Sequence, residues 1–224
     1  NALLVSLITA IVLFIVSYSG AKYAIRVQYV IFVLIILSVI SFFFTQAQPV
    51  DKITLIGRFE DASFWQVFAI FFPAVTGIMA GANLSGDLKN PRKAIPMGTL
   101  AAIGFTLIIY VLMAFFSAKF ISPEELRSNQ MFMVDYAFWG PLIIIGILAA
   151  TFSSALGSLI GAPRILQALA KQQTIPYSSF FQKVSSSHEP RNAILLTFAI
   201  IIIALLLGDL NALATIITLF FLIT

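Results

Sequence analysis

The sequence contains no cysteine and a single histidine among its 224 residues. Without cysteine, the chain can form neither a disulfide nor a thiolate site for a metal ion. His188, the one histidine, lies in a polar stretch, and no group of His, Cys or carboxylate residues occurs within the apolar parts of the sequence. The groups that a metal-dependent enzyme would assemble in a membrane are missing, so the sequence favours an enzyme least and predicts no bound cofactor.

Charged residues are scarce as well, at 10% of the chain, whereas 60% of the residues are hydrophobic. A soluble domain is usually about a quarter charged, because its surface must be solvated. Runs of about 20 apolar residues are long enough to cross a hydrocarbon core of about 30 Å as helices. The composition therefore predicts an all-α integral membrane protein. The apolar runs, called segments 1 to 7 below, cover residues 2–19, 27–45, 64–82, 94–118, 139–162, 192–208 and 210 onward.

The distribution of positive charge predicts the orientation of these segments. Alternate connecting stretches hold nine basic residues in one set and four in the other. The richer set is expected to face the cytoplasm, which makes segments 1 and 3 run from outside to inside. We expect a multi-pass protein of the plasma or inner membrane, and a single transmembrane domain over residues 1–224 that is a fragment. The richer set comprises Lys22, Arg26, Lys89, Arg92, Lys93, Arg164, Lys171, Lys183 and Arg191.

Segment 3 is unusual, because Pro73 lies in its middle and is followed by Gly77 and Gly81. Proline removes a backbone donor, and glycine lowers helix propensity. A helix broken here would expose carbonyl groups that suit a cation and amide groups that suit an anion. The alternative is a simple proline kink with close packing, since Gly77 and Gly81 also form a helix-contact motif.

Segment 5 places hydroxyl groups on one helical face. Ala150, Ser153 and Ser154 stand at positions i, i+3 and i+4 and so lie side by side on a helix. Two hydroxyls and a carbonyl could replace part of the water shell of a sodium ion. The alternative is that the serines donate hydrogen bonds to the preceding turn of their own helix. Gly146, Gly157 and Gly161 extend a stripe of small residues that would let another helix approach closely.

All 22 Lys, Arg, Asp and Glu residues fall in connecting stretches or near segment ends. A proton-coupled carrier would normally need a titratable group within the membrane. A cation held only by neutral oxygens would leave its charge uncompensated in a medium of low dielectric constant. A co-bound anion is the simplest compensation. These residues therefore favour a symporter of cations and anions over a proton-driven carrier.

Two longer motifs resemble a known family. Residues 71–98, FFPAVTGIMAGANLSGDLKNPRKAIPMG, resemble the sixth transmembrane helix and following loop of the cation–chloride cotransporters. Residues 150–176, ATFSSALGSLIGAPRILQALAKQQTIP, resemble the eighth helix of that family and its cytoplasmic exit. The resemblance implies the inverted-repeat transporter fold of the amino acid–polyamine–organocation superfamily. In that fold the chain would correspond to helices four to early ten, with segment 3 as the broken sixth helix.

The resemblance also implies ion sites on these segments. By analogy with the family, Pro73 and Thr76 would bind potassium, and the amides around Gly77, Ile78 and Met79 would bind chloride. The sodium site would include the carbonyl of Ala150 and the hydroxyls of Ser153 and Ser154. Serine at both positions 153 and 154 resembles the sodium-coupled branch of the family. The first and third helices of the family fold, which contribute to these sites, have no counterpart in this chain, so potassium dependence stays open.

Three functions are therefore compared. The first is electroneutral symport of sodium, with or without potassium, and chloride by alternating access. The second keeps the fold and binds an amino acid, whose carboxylate would take the place of chloride at the amides after Gly77. The third is a membrane subunit that does not transport. The expected partners are inorganic ions as substrates and the lipid bilayer; a homodimer is left open, and no nucleic acid is expected.

Overall fold

The computed structural model describes residues 2–50, 53, 63–71, 80–83, 85–185 and 189–207. Over these residues the regular structure is helical and contains no strand, which confirms the all-α prediction. A short 3-10 turn covers Ser85–Asp87. The α-helices are α1 Ala2–Tyr18, α2 Ala21–Phe43, α3 Phe64–Phe71, α4 Ala80–Asn83, α5 Pro91–Phe120, α6 Pro123–Ser128, α7 Phe132–Tyr136, α8 Gly140–Lys171, α9 Ser178–Phe181 and α10 Arg191–Leu207.

Three stretches of the described helices are long and apolar enough to cross a membrane, namely Lys22–Phe43, Pro91–Phe120 and Gly140–Lys171. Helices α5 and α8 have 30 and 32 residues. At 1.5 Å per residue they measure about 45 and 48 Å, which exceeds a hydrocarbon core of about 30 Å. Both helices therefore extend past the hydrocarbon at one end or both. Segment 7 lies outside the described residues.

Helices α2 and α8 extend furthest beyond the apolar segments that predict them. Helix α2 begins at Ala21 rather than near residue 27, directly after Gly20. Gly20 has a φ of +111°, a conformation that side chains with a Cβ rarely adopt, and it separates α1 from α2. Helix α8 continues past residue 162 to Lys171 and includes Arg164. Hydropathy reports where the chain becomes polar, whereas the helix ends only where its backbone hydrogen bonds stop.

The chain divides into two compact units. The first comprises Asn1–Val27 and Ala155–Thr224, and the second comprises Gln28–Ser154. In the first unit α1 packs against α10, where the rings of Phe14 and Phe198 stack with their centroids 4.2 Å apart. The buried hydroxyl of Ser17 donates to the carbonyl of Leu159 at 3.4 Å. An aromatic contact and a polar contact that satisfies a buried serine thus help to hold this unit together.

In the second unit, the C-terminal part of α2 runs antiparallel to the N-terminal part of α8. The hydroxyl of Ser41 accepts a hydrogen bond from the Trp139 amide at 3.0 Å, and the Ser41 carbonyl accepts one from Phe138 at 2.9 Å. One turn earlier along α2, Ser38 faces Gly146. A Cβ added to Gly146 would lie 2.3 Å from Oγ and 2.4 Å from Cβ of Ser38. The absence of a side chain at Gly146 lets the two helices approach this closely, as the small-residue stripe predicts.

Replacement of Gly146 by alanine is therefore expected to destabilise the protein. The new methyl group would overlap Cβ of Ser38, which cannot move without its helix, and overpacking of this kind costs about 1–3 kcal/mol. We expect Gly146→Ala to lower the melting temperature of the full-length protein in detergent, and the double variant Gly146→Ala with Ser38→Gly to restore it.

The matched control is Gly104→Ala on α5, where nothing lies within 4 Å of the added Cβ. Alanine there should leave the melting temperature unchanged or raise it slightly, because glycine inside a helix costs about 1 kcal/mol relative to alanine. Equal melting temperatures for Gly146→Ala and wild type would contradict the close approach of α2 and α8.

Candidate functional site

The helical flanks of segment 3 are described, but its centre is not. Helix α3 ends at Phe71, and α4 begins at Ala80. Pro73, Thr76, Gly77, Ile78 and Met79 all lie outside the described residues. The broken helix and the potassium and chloride sites at these residues therefore stay predictions.

The predicted sodium ligands lie in the middle of α8. Helix α8 is continuous from Gly140 to Lys171, so Ala150, Ser153 and Ser154 do share one face. Ser153 is half-buried, whereas Ala150 and Ser154 are exposed. The carbonyl and hydroxyl groups that the sequence points to are thus brought together by the regular geometry of a single helix.

Ser153 makes a two-part contact with Gln28 of α2. Its hydroxyl donates to Oε1 of Gln28 at 2.5 Å, and Nε2 of Gln28 donates to the carbonyl of Ser153 at 3.2 Å. Both residues belong to the second unit, although 125 positions separate them along the chain. This contact continues the antiparallel pairing of α2 and α8 by two further turns of α8. The carboxamide is therefore held at both of its ends by the same serine.

Several other hydroxyl groups in the apolar helices bond to their own helix instead. Thr106 donates to the carbonyl of Ala102 at 2.8 Å, and Thr151 donates to that of Leu148 at 2.9 Å. Such bonds to the preceding turn are the usual way in which a helical hydroxyl is satisfied. Ser153 donates to Gln28 instead. The alternative in which this serine bonds back to its own helix is therefore not what the structure shows.

Gln28 is the residue of this site that the sequence analysis missed. A signal was present, because Gln28 is a carboxamide next to a long apolar run that continues to residue 37. Polar groups at such positions are usually satisfied by a partner within the protein. Its partner could not be identified, since the contact depends on the register of two helices that are distant in sequence.

A second polar contact lies at the C-terminal end of α8, in the first unit. Arg164 donates from Nη1 to the carbonyl of Ile160 at 3.1 Å, and its Nη2 lies 3.5 Å from Oε2 of Glu189. The side chains of Arg164 and Glu189 are only 15% and 9% exposed. Glu189 also lies under the turn between α1 and α2, since a Cβ on Gly20 would be 3.4 Å from its Oε1. The ion pair joins α8 to the stretch before α10.

A shallow cavity of about 470 Å³ occurs in the second unit, at the end of α5 that is predicted to face outside. The hydroxyl of Tyr136 donates a hydrogen bond to the carboxylate of Glu125 there. This hydrogen bond and, to a lesser extent, burial raise the pKa of Tyr136 above its usual value of 10.0. The lining includes residues 47–50, Phe120 and Ser122. Among the predicted ion ligands that the structure describes, which are Ala150, Ser153 and Ser154, none lines this cavity.

The chain is similar to known proteins over most or all of its length. The family described as amino acid permease matches residues 1–224. Solute carrier family 12 member 9 of Rattus norvegicus is 42% identical over 162 residues, which cover 72% of this chain. Solute carrier family 12 member 8 of Xenopus laevis is 34% identical over 224 residues and 93% of this chain. Solute carrier family 12 member 2 of Homo sapiens is 34% identical over an alignment of 273 residues that covers 98% of this chain.

These relatives are much longer than the chain. The matched part covers 18% of the rat protein, 31% of the Xenopus protein and 22% of the human protein. The similarity therefore concerns one portion of each relative.

Loss of the ion pair is expected to weaken the fold. Glu189→Ala would leave the Arg164 guanidinium in its half-buried position without this carboxylate, and removal of one partner of a buried pair costs about 3 kcal/mol. We expect a lower melting temperature for this variant of the full-length protein in detergent. Glu124→Ala, which removes an exposed carboxylate from α6, is the control and should melt like wild type. Identical melting of all three proteins would show that the pair contributes nothing.

Proposed function

Since this chain belongs to the amino acid permease family, we propose that it forms part of a symporter that moves sodium and chloride together across a membrane. Permeases are transporters and not enzymes, and the long apolar helices identify a multi-pass membrane protein. Solute carrier family 12, to which the relatives above are assigned by name, is the family of cation–chloride cotransporters. The family resemblance of segments 3 and 5 is thereby confirmed, and a cation and chloride are the proposed substrates.

One observation carries the sodium part of the proposal, namely the direction of the Ser153 hydroxyl. A hydroxyl has one proton and two lone pairs. Because the proton of Ser153 goes to Gln28, the lone pairs of its oxygen are available to a cation. The same arrangement leaves the carbonyl of Ala150 unused by this hydroxyl. Carbonyl and hydroxyl oxygens of this kind can replace the water shell of an alkali ion.

The requirement for chloride follows from charge. Gln28 and the predicted ligands on α8 are all neutral groups. A sodium ion held by them would carry an uncompensated positive charge in a medium of low dielectric constant, which is costly. Chloride bound at the amides around Gly77, Ile78 and Met79 would offset that charge. Each ion would then raise the affinity of the other, and transport would be electroneutral for equal numbers of cations and anions.

A second candidate keeps the fold and changes the substrate. The description of the matching family, amino acid permease, favours a zwitterionic amino acid whose carboxylate occupies the amides after Gly77. The two candidates differ in their competitors. An amino acid transporter should be inhibited by unlabelled amino acids, whereas a sodium–chloride symporter should respond to replacement of chloride alone.

The coupling of sodium and chloride is tested with the full-length protein in proteoliposomes. Uptake of radioactive sodium is expected to fall to background when gluconate replaces chloride. In Ser153→Ala and Ser154→Ala, loss of one hydroxyl ligand should raise the sodium concentration for half-maximal chloride uptake by about tenfold, since a bond to a charged group contributes about 1.5–3 kcal/mol. Thr151→Ala on the same helix removes a hydroxyl bonded to its own turn and serves as the control. Sodium uptake that persists in gluconate would rule out the proposed symport.

The potassium site predicted at Pro73 and Thr76 is tested separately. If Thr76 contributes its hydroxyl to potassium, Thr76→Val should reduce uptake of radioactive rubidium, a potassium substitute, by about tenfold. In Ser153→Ala, the sodium dependence of chloride uptake should change, whereas its rubidium dependence should not. Rubidium uptake that is absent in wild type would indicate a sodium–chloride symporter that does not use potassium.

A further inference from the structure

The pairing of Gln28 with Ser153 suggests a role for a residue that lies outside the predicted ligand set. We propose that Gln28 is a positioning residue for the sodium site, which holds the Ser153 hydroxyl in the orientation that a cation requires. The inference rests on the proposed function, because it assigns a role within the sodium site. Its basis is the pair of hydrogen bonds at 2.5 and 3.2 Å between the Gln28 carboxamide and Ser153.

Without Gln28, the Ser153 hydroxyl would be expected to donate to a carbonyl of its own helix. Several helical hydroxyls in this chain donate to a carbonyl three or four positions earlier, as Thr9, Thr151 and Thr197 do. For Ser153 those carbonyls belong to Ala149 and Ala150. A bond to Ala150 would occupy the carbonyl that is predicted to bind sodium and would turn the hydroxyl proton toward the cation position. Gln28 prevents this competition by accepting the proton on the opposite helix.

The Gln28 carboxamide is itself held in one orientation. An amide has an acceptor end and a donor end, and rotation by half a turn would present Nε2 to the hydroxyl. The bond from Nε2 to the Ser153 carbonyl fixes the amide with Oε1 toward the hydroxyl. Because both ends contact the same residue, any movement of Gln28 would break two bonds. The hydroxyl is thereby oriented before sodium arrives, which lowers the entropic cost of binding.

The expected consequence is a selective effect on sodium. Gln28→Met keeps the approximate length of the side chain and removes both bonds. We expect the sodium concentration for half-maximal chloride uptake to rise about tenfold in full-length protein reconstituted in proteoliposomes. The maximal rate, and the half-saturating chloride concentration measured at saturating sodium, should change by less than about twofold, because Gln28 acts through the Ser153 hydroxyl and is not one of the predicted ion ligands.

Gln28→Glu separates positioning from a purely structural role. A carboxylate still accepts the Ser153 proton, and its charge attracts a cation, so sodium affinity should stay closer to wild type than in Gln28→Met. If Gln28 only stabilised helix packing, a half-buried carboxylate at this position would be at least as harmful as methionine. Gln28→Glu also provides the measurement if Gln28→Met fails to reach the membrane.

Two further variants complete the experiment. Gln167→Met is the matched control, since its amide contacts the carbonyl of Gln182 at 3.4 Å in the first unit and should leave sodium dependence unchanged. The double variant Gln28→Met with Ser153→Ala should be no worse than Ser153→Ala alone, because Gln28 acts through that hydroxyl.

The outcomes distinguish the inference from the function on which it rests. Chloride uptake by wild type that does not depend on sodium would overturn the proposed function. A second outcome is chloride uptake by wild type that depends on sodium, with a dependence that Ser153→Ala shifts and Gln28→Met leaves unchanged. In that case the proposed function stands and the role assigned to Gln28 is wrong. A shift in Gln28→Met that Gln28→Glu reproduces or exceeds would also overturn the positioning role.

Discussion

A bilayer offers no hydrogen-bond partner in its hydrocarbon core, so polar groups there must be satisfied within the protein. Several hydroxyls in the described helices meet this constraint locally, as Thr106 does by donating to its own helix. Ser17, Ser41 and Ser153 meet it across two helices instead. These longer contacts fix which faces of the helices oppose each other. The Ser153 contact also directs the hydroxyl proton away from its own helix and so turns a hard oxygen in the middle of α8 toward a potential cation.

The pairing of α2 with α8 shows how small residues and polar contacts depend on each other. Contacts with α2 recur every seven residues, at Trp139 directly before α8 and at Gly146 and Ser153 on one face of α8. Gly146 lets the helices come close enough for a side chain of ordinary length to bridge them. The bond of Gln28 to Ser153 thus depends on the missing side chain at Gly146, two turns away.

The sequence predicted the parts of this arrangement that depend on local spacing. Runs of apolar residues located the helices, and positions i, i+3 and i+4 placed Ala150 and Ser153 together, because helical geometry is the same everywhere. It did not predict that α8 continues through Arg164, since helical hydrogen bonds do not end where polarity begins. The partner of Ser153 was also missed, because Gln28 lies 125 residues away and its position depends on helix register. The ligands predicted between Pro73 and Met79 stay expectations from sequence.

Under the proposed function, the chemical identity of Gln28 bears on the coupling of the two ions. A carboxylate at this position could accept the Ser153 proton equally well, and it would also neutralise a bound sodium ion. The cation would then have little need of an anion. A carboxamide orients the hydroxyl without supplying charge, so compensation must come from a co-transported anion. Neither Gln28 nor the centres of the apolar segments supply a negative charge that could balance a sodium ion. Both features therefore make sodium binding depend on chloride.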